Sequence, residues 1–198
     1  MQPSYKHYLK IIKNTCTGHE GPVTIPSEEL ADLARLAEEH CTVPFVLSSF
    51  RGTPFYSSML QRTRSMMLNY YQIDQFTRHT VSLLKDNGID CILLKGISLA
   101  SCYPVPEYRK LGDLDLYISR KSDVSKAQKL LESHGYVAEN ELSDHHLTYH
   151  YTFPKTGRRF LLELHYRVVG MYQYERANQI VDQVYSFENL VPVSQTIP

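Results

Sequence analysis

An excess of charge of either sign is the first thing this chain lacks: 21 lysines and arginines stand against 21 aspartates and glutamates in 198 residues. Without a net basic field it is not built to coat nucleic acid non-specifically, so nucleic acid enters only as a possible acceptor substrate. Paired cysteine spacings are missing too. Cys16, Cys41, Cys91 and Cys102 are scattered with no C-x-x-C, and Cys91 lies in an apolar run where a free thiol packs as a small hydrophobe. That usage fits a reducing compartment. The start, Met1-Gln2-Pro3-Ser4-Tyr5-Lys6-His7, has no secretory pattern, and no apolar run approaches membrane-spanning length. The expectation is a soluble, cytoplasmic protein with no membrane partner. Repeats and low-complexity stretches are also absent, and the length suffices to bury a core without staples.

What is present divides near residue 88. From Ser27 to about His40, Leu30, Leu33, Ala34 and Ala37 follow helical spacing, with Ser27 expected as N-cap and Glu28 and Glu29 favouring the first turn. A longer pattern runs from about Phe55 to Asn87, striped by Met66, Tyr70, Ile73, Phe76, Leu83 and Leu84 and stopped by Asn87-Gly88. These predict a helical region over 1–88 and leave 89–198 as a second segment. There, Cys91-Ile92-Leu93-Leu94 reads as a buried strand, Lys95-Gly96 as a turn, and Ile97 to Cys102 as a short helix broken by Pro104 and Pro106. Ser122 is expected to cap a helix carrying Val124, Ala127, Leu130 and Leu131, closed by Gly135. A hairpin follows, Leu147, Tyr149, Tyr151 and Phe153 alternating with polar neighbours on one arm, and Phe160, Leu162, Leu164 and Tyr166 on the other. The last residues, from about Glu188 to Pro198, trail off without an element, as in a fragment of a longer chain.

Between the short helix and the hairpin stands the run with most chemical content, Arg109-Lys110-Leu111-Gly112-Asp113-Leu114-Asp115-Leu116-Tyr117-Ile118. Side chains alternate faces along a strand, so Asp113 and Asp115 point one way and Leu114, Leu116 and Ile118 the other. Two carboxylates with Cα atoms about 6 to 7 Å apart can share a hard divalent cation. By the same alternation Glu163, in Leu162-Glu163-Leu164, lies on the polar face of the second hairpin arm.

In order, these pieces resemble the nucleotidyltransferase superfamily typified by DNA polymerase beta. More closely, Leu93-Leu94-Lys95-Gly96-Ile97-Ser98-Leu99, Tyr108-Arg109-Lys110-Leu111-Gly112-Asp113-Leu114-Asp115-Leu116 and Leu162-Glu163-Leu164-His165-Tyr166-Arg167 are similar to uncharacterised bacterial nucleotidyltransferases that carry Lys-Gly where better-known members have Gly-Ser or Gly-Gly. The resemblance covers roughly Asp90 to Arg167. It implies an α/β (α+β) nucleotidyltransferase fold, a mixed sheet with helices on one face, preceded here by the helical region. It implies a catalytic and metal set of Asp113, Asp115 and Glu163 holding Mg2+ or Mn2+, and a nucleoside triphosphate such as ATP contacted by Lys95, Gly96, Ile97, Ser98, Arg109 and His165. The reaction implied is transfer of a nucleoside monophosphate to a hydroxyl of a small molecule, an RNA end or a protein. This chain departs from the wider pattern in its single small residue after Lys95, a longer stretch from Gly96 to Asp113, and a glutamate as third acid.

Other readings use fewer of these residues. A glycosyltransferase with an Asp-x-Asp metal site leaves Lys95-Gly96 and Glu163 without a role, and a non-catalytic nucleotide-binding module leaves the acids so. His145, His146, His150 and His165 offer zinc-ligand chemistry, with His146 and His150 on one strand face. Yet tyrosine-rich hairpins carry exposed histidines, and His165, two residues from Glu163, reads better as a substrate or supporting contact.

Overall fold

The computed structural model describes residues 3–18, 23–118, 120–139 and 143–185, which separate into two compact units. One comprises Met1–Gln72 and Leu99–Leu111, the other Ile73–Ser98 and Gly112–Pro198. The tail expected to be without structure, Glu188 to Pro198, lies outside the described residues. Among the described residues no helix is long and apolar enough to cross a membrane.

The first unit is built on α1 (Pro3–Thr17), α2 (Leu30–Glu39), α3 (Val43–Val46) and the N-terminal half of α4 (Tyr56–Asp86). Tyr8 and Ile11 of α1, Leu33, Leu36 and Ala37 of α2, and Val43 and Val46 of α3 close a core with Phe50 and Met59. Hydrogen bonds cross it from Tyr8 Oη to Thr42 Oγ1 at 2.7 Å and from Thr15 Oγ1 to the Phe45 carbonyl at 2.8 Å. The expected cap at Ser27 is not formed. A 3-10 turn over Ser27–Glu29 leads into α2, closed by Glu29 N–H donating to the Pro26 carbonyl, and Ser27 Oγ donates to the Glu28 carboxylate instead. Likewise Ser122 lies inside α6 (Lys121–Ser133), whose N-cap is Arg120. There the first-turn acid Asp123 supplies the favourable charge at the helix start and accepts from Lys126 at 2.8 Å.

In the second unit a five-stranded mixed sheet runs in the order β1 (Ile92–Leu93), β2 (Leu114–Tyr117), β5 (Arg159–His165), β4 (His146–Thr152), β3 (Val137–Ala138). Only β2 and β5 are parallel; every other pair is antiparallel. The chain is therefore a mixed α/β fold preceded by N-terminal helices. Alternation decides the two faces. Leu114, Leu116, Leu162, Leu164 and Phe160 are buried on one of them. The C-terminal half of α4 covers that side, Phe76 stacking on Phe160 at 4.9 Å between ring centroids, and Tyr149 reaches Gln128 of α6. Gly88 (φ 70°) ends α4 as expected, with the Ile89 N–H donating to the Leu84 carbonyl, and Gly135 (φ 87°) ends α6. The one-turn α5 (Ile97–Ala100) follows the Lys95-Gly96 turn, and α7 (Glu175–Val184) packs beyond β5 through an Arg167 Nε to Asp182 contact of 2.7 Å.

Candidate functional site

The polar face of this sheet collects the acids because of strand register. β2 and β5 set Asp115 directly beside Glu163, and β5 and β4 set Glu163 beside Thr148, so one row crosses three strands. The next row on that face is Tyr117, His165 and His146. Asp113 precedes β2 by one residue and is half-buried. Lys95, at the end of β1, gathers all three acids. Its Nζ lies 3.0 Å from Asp115 Oδ1, 3.8 Å from Glu163 Oε2 and 3.9 Å from Asp113 Oδ2. Asp113, Asp115 and Glu163 are thus brought together, as alternation along the strands predicts, and Lys95 joins them from the turn that follows β1.

Asp115 is 2% exposed. Oδ1 faces Lys95 and, at 3.2 Å, His165 Nε2, while Oδ2 is buried with no hydrogen-bond partner among the described residues. A buried carboxylate oxygen left alone costs about 1 to 3 kcal/mol, so this atom is a place where a cation would be stabilising. Burial opposes ionisation of Asp115, but the bonds from His165 and Lys95 outweigh it and hold the carboxyl below the ordinary aspartate range. Glu163 goes the other way: burial and the adjacent Asp115 push it up, with Lys95 opposing. Of the two neighbouring carboxyls, Glu163 is therefore the one that holds a proton more readily. Burial would lower the Lys95 ammonium, yet the three acids raise it.

Gly96 has φ +60°, a conformation glycine adopts without strain, and its α-carbon faces the acids. A Cβ built there would stand 3.5 Å from the Asp113 carbonyl and 3.9 Å from Asp115 Oδ2. Ser98 spends its hydroxyl on the Leu94 carbonyl at 2.8 Å, bracing the turn, and Ile97 is buried at the start of α5. A helix of one turn supplies little dipole for a phosphate. Arg109 belongs to the first unit, where its guanidinium donates to Tyr103 Oη at 3.1 Å and lies 5.5 Å from that ring. His165 is 3% exposed, bonded through Nε2 to both Asp115 and Glu163 and through Nδ1 to the Arg167 carbonyl at 3.3 Å.

The four histidines part company. His150 pairs with Glu139 beyond β3, whereas His145, His146 and His165 converge and can each bring a ring nitrogen within 4.8 Å of the others. Asp115, Glu163 and His165 form a second such group. Both border an open cleft of about 820 Å3 lined by Glu139, Ser143, Asp144, His146, Thr148 and Glu163. Ser143, Asp144 and Thr148 were not singled out in the sequence, and the run Ser143-Asp144-His145-His146 hinted at the first two alone.

A family model described as uncharacterised nucleotidyltransferase matches residues 26–194, and the chain belongs to that family. No curated protein and no solved structure matches it. Family membership together with the two metal-capable clusters supports activity of the nucleotidyltransferase type in general.

Proposed function

We propose that this chain transfers a nucleoside monophosphate from a nucleoside triphosphate, ATP among them, to a hydroxyl on an acceptor. The observation that carries the reading is Asp115 beside Glu163 in parallel register, with Asp113 within reach of the same ammonium and Asp115 Oδ2 buried without a partner. All-oxygen donors of this kind suit a hard cation. Asp113, Asp115 and Glu163 would hold Mg2+ or Mn2+, which when bound neutralises charge on the phosphates and makes the acceptor hydroxyl more acidic. Glu163, disposed to hold a proton more readily than an ordinary glutamate, would take the one the hydroxyl gives up, and His165 Nε2 at 3.2 Å would hold its carboxyl in place. Lys95 would turn from the acids to a phosphate oxygen, and the Gly96 and Ile97 amides would meet the same group, with Ser98 holding the turn in shape. Arg109, in the other unit, has no assigned part.

A glycosyltransferase with an Asp-x-Asp site would need neither Glu163 at the side of Asp115 nor Lys95 among the acids. The test is incubation with Mg2+ or Mn2+ and each α-labelled nucleoside triphosphate, following pyrophosphate release and label transfer to protein, RNA or cell extract. Pyrophosphate with transferred label is expected. Release of inorganic phosphate alone, or no release with any nucleotide and extract, refutes the proposal.

A further inference from the structure

We infer that His145, His146 and His165 form a second cation site, selective for a borderline divalent ion of the zinc class and separate from the carboxylate site of Asp113, Asp115 and Glu163. The evidence is in the nitrogens. His145 Nδ1 lies 2.7 Å from Asp144 Oδ1, so the proton sits there and Nε2 carries a lone pair. His146 Nδ1 is 3.0 Å from that Nε2. Two imidazole nitrogens this close are bridged by one hydrogen, which a divalent ion can replace with little movement of either ring. His165 Nε2 donates to the Asp115 and Glu163 carboxylates at 3.2 Å, and on turning to a cation held by His145 and His146 the ring would carry its proton at Nδ1, which faces the Arg167 carbonyl at 3.3 Å.

His145 and His165 have the outer support that metal-binding histidines show, a carboxylate or carbonyl on the far ring nitrogen. That support is itself held. Asp144 Oδ2 accepts from the Met171 N–H at 2.8 Å, and Gly170 is packed so closely that a Cβ would stand 3.3 Å from Asp144 Oδ1. Ser143 Oγ lies 3.1 Å from both His145 Nδ1 and His146 Nδ1. A tetrahedral ion with Zn–N bonds of about 2.0 to 2.1 Å places its ligand atoms about 3.3 Å apart, so the His145–His146 spacing needs little change and His165 must close by at most about 1.5 Å. His145 and His146 sit where the chain enters β4, and His165 ends β5. Their binding would pin that entry to the sheet and leave a fourth position facing the cleft beside Glu163. Three neutral imidazoles prefer zinc or cobalt to magnesium, which is the basis of the selectivity.

The test uses Co2+ as a spectroscopic probe on the intact chain, with no nucleotide, so it stands apart from the nucleotidyl-transfer proposal. The expected result is one equivalent of Co2+ giving the intense visible bands of a tetrahedral ion, displaced by Zn2+ and not by Mg2+. His145→Ala and His146→Ala should each abolish those bands, Asp144→Asn should weaken binding about ten- to a hundredfold, and Asp113→Asn should leave it unchanged. Circular dichroism checks that the variants fold. Should one fail, electron spin resonance of the Cu2+-loaded wild type counts the coordinating nitrogens, three being expected. Bands lost in Asp113→Asn but kept in both histidine variants would overturn the inference, as would the absence of a tetrahedral spectrum or fewer than two coordinating nitrogens.

Discussion

Gly96→Ala separates the turn's backbone conformation from its function. At φ +60° an alanine pays the left-handed penalty, about 1 to 2 kcal/mol, but the new methyl meets the Asp113 carbonyl at 3.5 Å and Asp115 Oδ2 at 3.9 Å, both ordinary contacts. No clash is added. The stability loss should therefore stay near about 1 to 2 kcal/mol, read as a shift of the urea midpoint at constant slope. Binding should suffer more, because the methyl narrows the space beside the one buried carboxylate oxygen without a partner and holds off a phosphate that must approach the Gly96 amide. Loss of a charge-assisted contact of about 1.5 to 3 kcal/mol weakens triphosphate affinity roughly ten- to a hundredfold. Calorimetric titration with Mn2+ and each nucleoside triphosphate measures it. Unchanged affinity, or destabilisation beyond about 4 kcal/mol, would show that the turn does not face the ligand as argued.

Asp113→Asn should change stability by less than about 1 kcal/mol, since its ion pair with Lys95 is half-exposed and 3.9 Å long. Asp115→Asn should cost about 1 to 3 kcal/mol by weakening the bonds from Lys95 and His165; in both variants Mg2+ plus nucleotide should no longer raise the melting temperature, and retained stabilisation would sink the metal assignment. Lys95→Ala should weaken triphosphate binding roughly ten- to a hundredfold, yet strengthen binding of Mn2+ alone, because the ammonium and the cation compete for the same acids. A fall in both would contradict that competition. Glu163 has a raised folded-state value, so its stabilising protonation is complete below the ordinary glutamate range and is lost as pH rises through the raised value; Glu163→Gln should remove that slope from a urea stability series without metal. Asp115, depressed, acts in a separate window below the ordinary aspartate range, where stability falls as the pH is lowered, and that slope should persist in Glu163→Gln. Cys91, its thiol pushed up to about 11 by burial, should be about one part in a thousand thiolate at pH 8 and alkylate correspondingly slowly, its rate rising tenfold per pH unit; fast labelling at pH 8, mapped by peptide mass, would show the thiol to be open.

Much of the site was legible because it rests on a period of two. Leu114, Leu116 and Ile118 fill one side of β2, so Asp113 and Asp115 had to share the other, and the same rule fixed Glu163 between Leu162 and Leu164. Long helices with strong stripes were equally plain, α4 ending at the glycine that its pattern demanded. What escaped were elements whose signal is weak or contacts that cross between elements. In α1 the buried Tyr8 and Ile11 are diluted by Lys6, Lys10 and Lys13, and α7 buries only Asn178 while Ile180 and Val184 stay exposed. The serine caps failed because Pro26 and Arg120 precede turns that the backbone closes by itself. His150 looked like a partner of His146 by alternation, but Glu139, carried in by a two-residue strand too short to read, claims it.

The two cation-capable groups meet at His165, and their union has a physical reason. Asp115 cannot be left bare in a nearly solvent-free position, and in the chain by itself the compensation comes from the Lys95 ammonium and the ring of His165, helped by the readier protonation of Glu163. A cation on the carboxylates would take over from Lys95. On the proposed function it would free Lys95 for a phosphate and leave Glu163 ionised to receive a proton from an acceptor. Lys95 and His165 therefore stand in for charge that a ligand can supply, and that is why a sheet this small can hold so many ionisable groups on one face while Leu114, Leu116, Leu162 and Leu164 keep its other face dry.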